Sequence, residues 1–306
     1  MFVLILGAGA GGGFPQWNCH CPNCKGLRTG SINTRPRTQS SIAVSANKKQ
    51  WVLINASPDL REQINRHSQL WPETSVTRGT RISSIVLTDS QIDHTTGLLT
   101  LREGLPLPVY CTDVVKEDLT TSFPLFTVLK HWHGGLHQHT ISTEFNKSFV
   151  PSGAEGLTFQ PVVLESNAPP YSKYRDNIVA GNNIGLKITD DHSGKSVFYA
   201  PGCMQANSVV KNVMAEADCV LFDGTLWVNE EMIDHGFSQK LGTDMGHMPV
   251  NGPNGAIALL KEFEVKRKIL IHINNTNPVL NEDSQANREL RQQGIELAFD
   301  GMEIEV

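Results

Sequence analysis

Short apolar runs rich in β-branched residues recur from one end of the chain to the other: "FVLIL", "SIAVS", "WVLIN", "ISSIVLT", "LPVYCT", "LTFQPVVL", "NIGLKIT", "SVFYAP", "CVLFDG", "KILIHI" and "IELAF". Such runs read as strands, and a chain of 306 residues can bury them only by stacking sheets around a sizeable core. Helical signals fall between them. "SPDLREQINRHS" offers Ser57 as N-cap with Pro58 at the first helical position, "NEDSQANRELRQQG" closes on Gly294, and "GPNGAIALLKEFE" is a third helix. Hairpin-like strand pairs followed by strand–helix alternation predict an α/β fold with two stacked sheets and helices outside. No internal repeat or low-complexity linker divides the sequence, so residues 1–306 read as a single domain. The least periodic stretch, Pro151 to Asn183, reads either as a loop closing over a site or as a surface excursion.

Charge excludes one large class of partner. A formal net charge of -5 without any basic cluster is wrong for a nucleic-acid binder. Phe2 to Ile5 is too short an apolar run for a membrane span or a secretory core, so the expected setting is cytoplasmic, with no membrane association. In that setting the six cysteines are not expected to form a disulfide framework, and crowded thiols are read as metal ligands first. Cys111, Cys203 and Cys219, isolated in apolar surroundings, read as buried free thiols.

The crowding lies in "LILGAGAGGGFPQWNCHCPNC", Leu4 to Cys24. Gly7, Gly9 and Gly12 follow an apolar strand in the spacing of a dinucleotide fingerprint. That fingerprint also needs a helix opening within the glycines and an acidic residue about 20 positions on. Pro15 and the cysteine turn stand where the helix would propagate, and "KGLRTGSIN" supplies no carboxylate. The glycines are instead read as backbone freedom for a tight turn approaching a ligand or a loop. Cys19, Cys21 and Cys24 place three thiolates on one compact turn, a structural zinc site short of one local ligand.

A second constellation lies in "IVLTDSQIDHTTGL", a buried strand ending in polar residues before a helix start. Thr88, Asp93, His94 and Gly97 fit the T-H-x-H-x-D-H-x-x-G frame of the metallo-β-lactamase superfamily, which the chain resembles over nearly its whole length. Asp89 and Gln91 replace the two histidines of H-x-H. "INASPDLR", "MGHMP" and "LIHINNTNP" follow in the superfamily's order. The resemblance implies a four-layer αββα sandwich of two mixed sheets flanked by helices. Within the superfamily, "FPQWNCHCPNC", "LTDSQIDHTTGL", "FDGTLW" and "HINNTNP" resemble a branch containing a phosphonate-pathway cyclic phosphodiesterase and a family of pyrroloquinoline quinone (PQQ) biosynthesis. The likeness is to the latter family.

The resemblance implies Asp93, His94 and His272 as ligands of one active-site divalent metal, with Asp89 able to join as ligand or catalytic carboxylate. Two imidazoles and a carboxylate suit Fe2+, and also accept Zn2+, Mn2+ or Mg2+. Taken singly, Asp93 equally suits a helix cap and His272 a satisfied core histidine. His247 takes the position of a general acid or base in related hydrolases. Asp223 is a ligand, an outer carboxylate or a plain turn. Gly202 stands where a bridging aspartate is usual, which disfavours a two-metal hydrolase. Asn275, at the place of a zinc-binding histidine in the phosphodiesterase relative, is expected to face the cysteines and supply or screen their fourth position.

The partners implied are a small precursor derived from glutamate and tyrosine, or PQQ itself, together with other PQQ-pathway proteins. Three roles stay open: a metal-dependent oxygenase that hydroxylates the precursor, a carrier of PQQ or its precursor toward the periplasm, and a degenerate metallo-hydrolase. A homodimer through the glycine loop is expected. His131, His133, His137 and His139 in "HWHGGLHQH" are a third metal site or a surface strand, and Trp17, Trp132 and Trp227 line an aromatic pocket or pack in the core.

Overall fold

In the computed structural model, which describes residues 1–144 and 146–306, each apolar run of the sequence is a strand. The strands are β1 (Phe2–Gly7), β2 (Ser41–Ser45), β3 (Trp51–Ile54), β4 (Ile82–Val86), β5 (Leu107–Cys111), β6 (Leu136–Thr140) and β7 (Leu157–Val163). They continue through β8 (Ile184–Asp190), β9 (Ser196–Ala200), β10 (Cys219–Asp223), β11 (Arg267–Ile271), β12 (Ile295–Leu297) and β13 (Glu303–Glu305). One 7-stranded sheet runs β13-β1-β2-β3-β4-β5-β6 and one 6-stranded sheet runs β12-β11-β10-β9-β8-β7. Both are mixed: β1–β3 and β7–β9 pair antiparallel, while β3–β6 and β9–β12 pair parallel.

Alternation along the strands builds the layers. Val3 and Ile5 face the core between the sheets together with Leu186, Tyr199 and Leu221. Leu4 and Leu6 face the other way, against Leu60, Val115 and Phe126 of the helices outside the first sheet. On the second sheet, Phe198, Phe222 and Leu270 meet Met214, Leu260 and Leu290 of its own helices. Three apolar layers between four structural ones form the αββα sandwich. They also explain why the strands read as continuous apolar runs, since most are buried on both faces.

Three local expectations are corrected. The helix in "SPDLREQINRHS" spans Leu60–Arg66 with Asp59 as N-cap, because Ser57 is used in a turn: its hydroxyl accepts from Asp59 N at 3.2 Å and its carbonyl from Leu60 N at 3.0 Å. The long loop is shorter than the stretch 151–183, since β7 occupies residues 157–163 and leaves 164–183. β6 is the surface-strand alternative read at "HWHGGLHQH", with His137 and His139 exposed on an edge, whereas β13 was not foreseen, having a single buried residue, Ile304. Gly294 does close its helix, at φ 67° after Gln285–Gln292.

The carboxyl ends of parallel strands β4, β10 and β11 open at one edge of the sandwich, the usual place for a site in α/β sheets. The segment after β7 crosses this edge. Tyr171 donates to the Ser90 carbonyl, Ser172 donates to Asp118 at 2.8 Å, and Ile184 N reaches the Thr88 carbonyl at 2.9 Å.

Candidate metal centre

The turn after β4 delivers Asp89 to His94, and its geometry follows from close backbone docking. Ala56 N reaches the His94 carbonyl at 2.7 Å and Gly97 N the Ala56 carbonyl at 2.9 Å. A Cβ on Gly97 would sit 2.1 Å from the Ser57 carbonyl oxygen, so this approach requires glycine. His272 comes from the end of β11 with φ 61°, a left-handed backbone that is costly for a histidine and characteristic of functional sites.

These elements bring Asp93, His94 and His272 together, with one ligand atom of each within 4.8 Å of the others. Asp93 Oδ2 lies 3.3 Å from His272 Nε2 and 4.0 Å from His94 Nε2, and the two rings meet edge to face at 5.3 Å. His94 Nδ1 lies 2.8 Å from Asp89 Oδ2 and donates to it, because a carboxylate only accepts. His94 Nε2 is buried and has no hydrogen-bond partner among the described residues. Asp89 is the carboxylate that orients His94. Its oxygens are committed to that ring, to Gln91 N at 2.9 Å and to the Thr88 hydroxyl at 3.1 Å.

On the far side of His272, Asp223 Oδ2 accepts from His247 Nδ1 at 2.7 Å and from Cys203 N at 2.9 Å. Its Oδ1 lies 2.6 Å from the Thr225 hydroxyl, which is in turn 2.9 Å from His272 Nδ1. His247 stacks on His272 at 5.1 Å. Asp223, His247 and His272 also form a possible donor group, but Thr225 already fills its centre. Thr225 was not singled out in the sequence; a hydroxyl two residues past a strand-end aspartate was the available signal.

The electrostatics favour a cation between Asp93 and the two imidazoles. Burial works against a charged His94, yet Asp89 and Asp93 outweigh it and hold the imidazole up to about 9. Burial likewise opposes ionisation of Asp93, but His94 and His272 hold it below the usual carboxylate range. Burial lowers His272, against the pull of Asp93. For His247 the Asp223 carboxylate overcomes burial and raises the ring. Without an ion, buried Asp89 and half-buried Asp93 draw the positive charge onto His94. The unpartnered His94 Nε2 and the facing Asp93 oxygen are what a divalent ion would satisfy, so the residues fit a metal.

The site opens into a cavity of about 200 Å³ lined also by Gly11, Asn183 and Gly202. A Cβ on Gly11 would lie 3.3 Å from Asp93 Oδ2, so the glycine loop lies against the Asp93 carboxylate. Trp17 is 86% exposed, and Trp132 and Trp227 pack against the two helix-side cores; none lines this cavity. His137 and His139 lie on the exposed edge strand, His139 stacked on Tyr110 at 4.6 Å.

The sulfurs of Cys19, Cys21 and Cys24 form a second group within 4.8 Å of one another. Cys21 caps the helix Pro22–Thr29. Asn275, three residues after His272, faces all three sulfurs with its amide nitrogen at 3.1, 3.6 and 3.4 Å. It stands at the fourth corner as oriented to donate rather than to ligate. Asn23 holds that segment through the carbonyls of Asn275 and Asn277 at 3.1 and 2.9 Å. Burial pushes the Cys21 thiol up to about 12. Cys111, Cys203 and Cys219 are buried free thiols.

Fold and site together define a metallo-β-lactamase-type protein, and the beta-lactamase superfamily domain matches residues 50–273. More narrowly, the chain belongs to the coenzyme PQQ synthesis protein B family. It is 53% identical over 306 residues to the coenzyme PQQ synthesis protein B of Acinetobacter baylyi, covering 100% of both chains. The Klebsiella pneumoniae protein of that name is 52% identical over 304 residues, covering 99% of this chain and 98% of the other. Among solved structures, Zn2+-bound PqqB from Methylobacterium extorquens superposes with a TM-score of 0.91 at 37% identity, with 100% of both chains covered. A diphosphatase of the PhnP family, at 19% identity, shares the fold with a TM-score of 0.70 over 100% of this chain and 96% of its own.

Proposed function

We propose that this chain, read as one domain over residues 1–306, is a metal-dependent hydroxylase of PQQ biosynthesis that acts on a small precursor derived from tyrosine and glutamate. The observation that carries this reading is the set of Asp93, His94 and His272 at the cavity floor, with both imidazoles oriented from behind. Two imidazoles and one carboxylate leave coordination positions for a guest, the ligand set of mononuclear non-haem iron oxygenases. The family membership supports the pathway, and the zinc in the Methylobacterium relative supports a divalent ion.

Asp93, His94 and His272 would hold the ion, which supplies redox activation of dioxygen when it is iron. The chain's own residues do the rest. Asp89 keeps His94 turned toward the cavity. His247, anchored on Asp223 and raised above the ordinary imidazole range, is the proton shuttle at the cavity wall. The segment 164–183, tied down by Tyr171 and Ser172, excludes water. Each hydroxylation replaces one aromatic C–H by C–OH and consumes one dioxygen, two protons and two electrons from an external reductant, releasing one water. The cysteine turn, screened by Asn275, is a structural zinc site. The setting is cytoplasmic.

The test is anaerobic reconstitution with Fe2+, followed by addition of oxygen, a reductant and a tyrosine-derived diamino-acid precursor. Oxygen uptake with a product one oxygen atom heavier, abolished in His94→Ala, supports the reading. Full activity in that variant rejects it. Stoichiometric binding without any change in substrate mass makes the protein a carrier instead.

A further inference from the structure

We propose that Thr225 is a positioning residue that fixes the tautomer of His272, resting on the metal reading above. The argument is a proton count. The Thr225 hydroxyl oxygen lies 2.6 Å from Asp223 Oδ1 and 2.9 Å from the His272 carbonyl oxygen. Neither atom has a proton to give, so the single hydroxyl proton goes to one of them, the carboxylate being the shorter and charged acceptor. Toward His272 Nδ1, at 2.9 Å, the same oxygen is then an acceptor. His272 Nδ1 must carry a proton toward Thr225, which leaves Nε2, 3.3 Å from Asp93 Oδ2, as the nitrogen that would bind an ion.

The third neighbour agrees with this count. His247 Nδ1 lies 3.0 Å from the Thr225 oxygen and 2.7 Å from Asp223 Oδ2, so its N–H is directed mainly to the carboxylate. Thr225 is 5% exposed and Asp223 is fully buried, so the relay Asp223–Thr225–His272 lies behind the cavity surface with little of it open to solvent. Asp223 Oδ2 is itself pinned by Cys203 N. His272 sits at φ 61°, where its backbone does not define the ring's tautomer. Asp89 acts on His94 directly, whereas on His272 a carboxylate acts through one intervening hydroxyl.

The test titrates Co2+ into the full-length chain. Thiolate-to-metal absorption reports the cysteine turn, which doubles as a check of folding, and ligand-field bands report the histidine centre. Thr225→Val keeps the shape and removes the acceptor; Thr225→Ser restores it. The expected result is a loss of 10–100-fold in affinity at the histidine centre for Val, an affinity for Ser close to that of the parent, and unchanged cysteine-turn binding in both. The exchange-protected Nδ1–H proton resonance of His272 in the Zn2+-loaded protein is expected in the parent and in Ser, and absent in Val. Parent-like affinity and resonance in Val, or equal losses in Val and Ser, overturn the proposal. His94→Ala is the separate control: undiminished histidine-centre binding there rejects the metal reading itself.

Discussion

At the scale of the residue, the site is a set of acceptors whose protons have been directed elsewhere. Asp89 accepts a hydrogen bond from His94 Nδ1, and its charge sets the orientation of a ring whose other nitrogen has no hydrogen-bond partner among the described residues. Asp89→Asn keeps an acceptor but removes the charge, so metal affinity at the histidine centre is expected to fall 10–100-fold in a competitive chelator titration, with the fold retained. A second buried carboxylate stands outside the site. Glu231 is 3% exposed and receives Thr276 Oγ1 and Trp227 N. Burial pushes it up from 4.5 to about 7, against these donors. A raised folded value means that the native state holds the proton longer than the unfolded one. Stability is therefore greatest below the unfolded value and declines as pH rises toward 7, by up to about 3 kcal/mol. Denaturant titrations should show Glu231→Gln gaining on the parent between about pH 5 and pH 8; parallel curves would remove Glu231 from the account.

At the scale of the element, close docking of the helix that carries His94 on the segment at Ala56 and Ser57 sets the site. Gly97→Ala places a methyl against the Ser57 carbonyl, which cannot retreat because Ala56 N and O are both bonded across the same contact. Chemical denaturation is expected to show a loss of about 3 kcal/mol, with weaker metal binding because Asp93 and His94 move together. Elements of this kind were legible to different degrees. Apolar, β-branched runs made β1 to β5 and β7 to β12 readable, including the edge strands β7 and β12. β6 was readable only as a surface strand among histidines, and β13 was not readable, because its one buried side chain is Ile304 and it owes its existence to pairing with β1. The helix start was misplaced at Ser57 because a good capping residue was taken up by a turn that serves the docking contact.

At the scale of the whole molecule, the proposed ligands His94 and His272 lie far apart in sequence and meet because both follow strands that end at the same edge of the sandwich. Motif spacing within "DSQIDHTTGL" made Asp93 and His94 readable, and order along the chain made His272 readable. The contact of Asp89 with His94 Nδ1 was not, since it depends on which oxygen faces which nitrogen. Thr225 was missed for the same reason. The glycine loop places Trp17 at 86% exposure beside the cysteine turn, and we propose that it meets a second copy of the chain. Sedimentation should give twice the 33.7 kDa chain mass for the parent and the chain mass for Trp17→Glu; a monomeric parent would contradict this.

The central claim is that one ion is held by Asp93, His94 and His272, separately from the cysteine turn. The most direct measurement is the metal content per chain after saturation and desalting, in the parent, in His94→Ala, and in a variant with Cys19, Cys21 and Cys24 all changed to Ser. Two equivalents in the parent and one in each variant are expected. Two equivalents retained by His94→Ala would contradict the account.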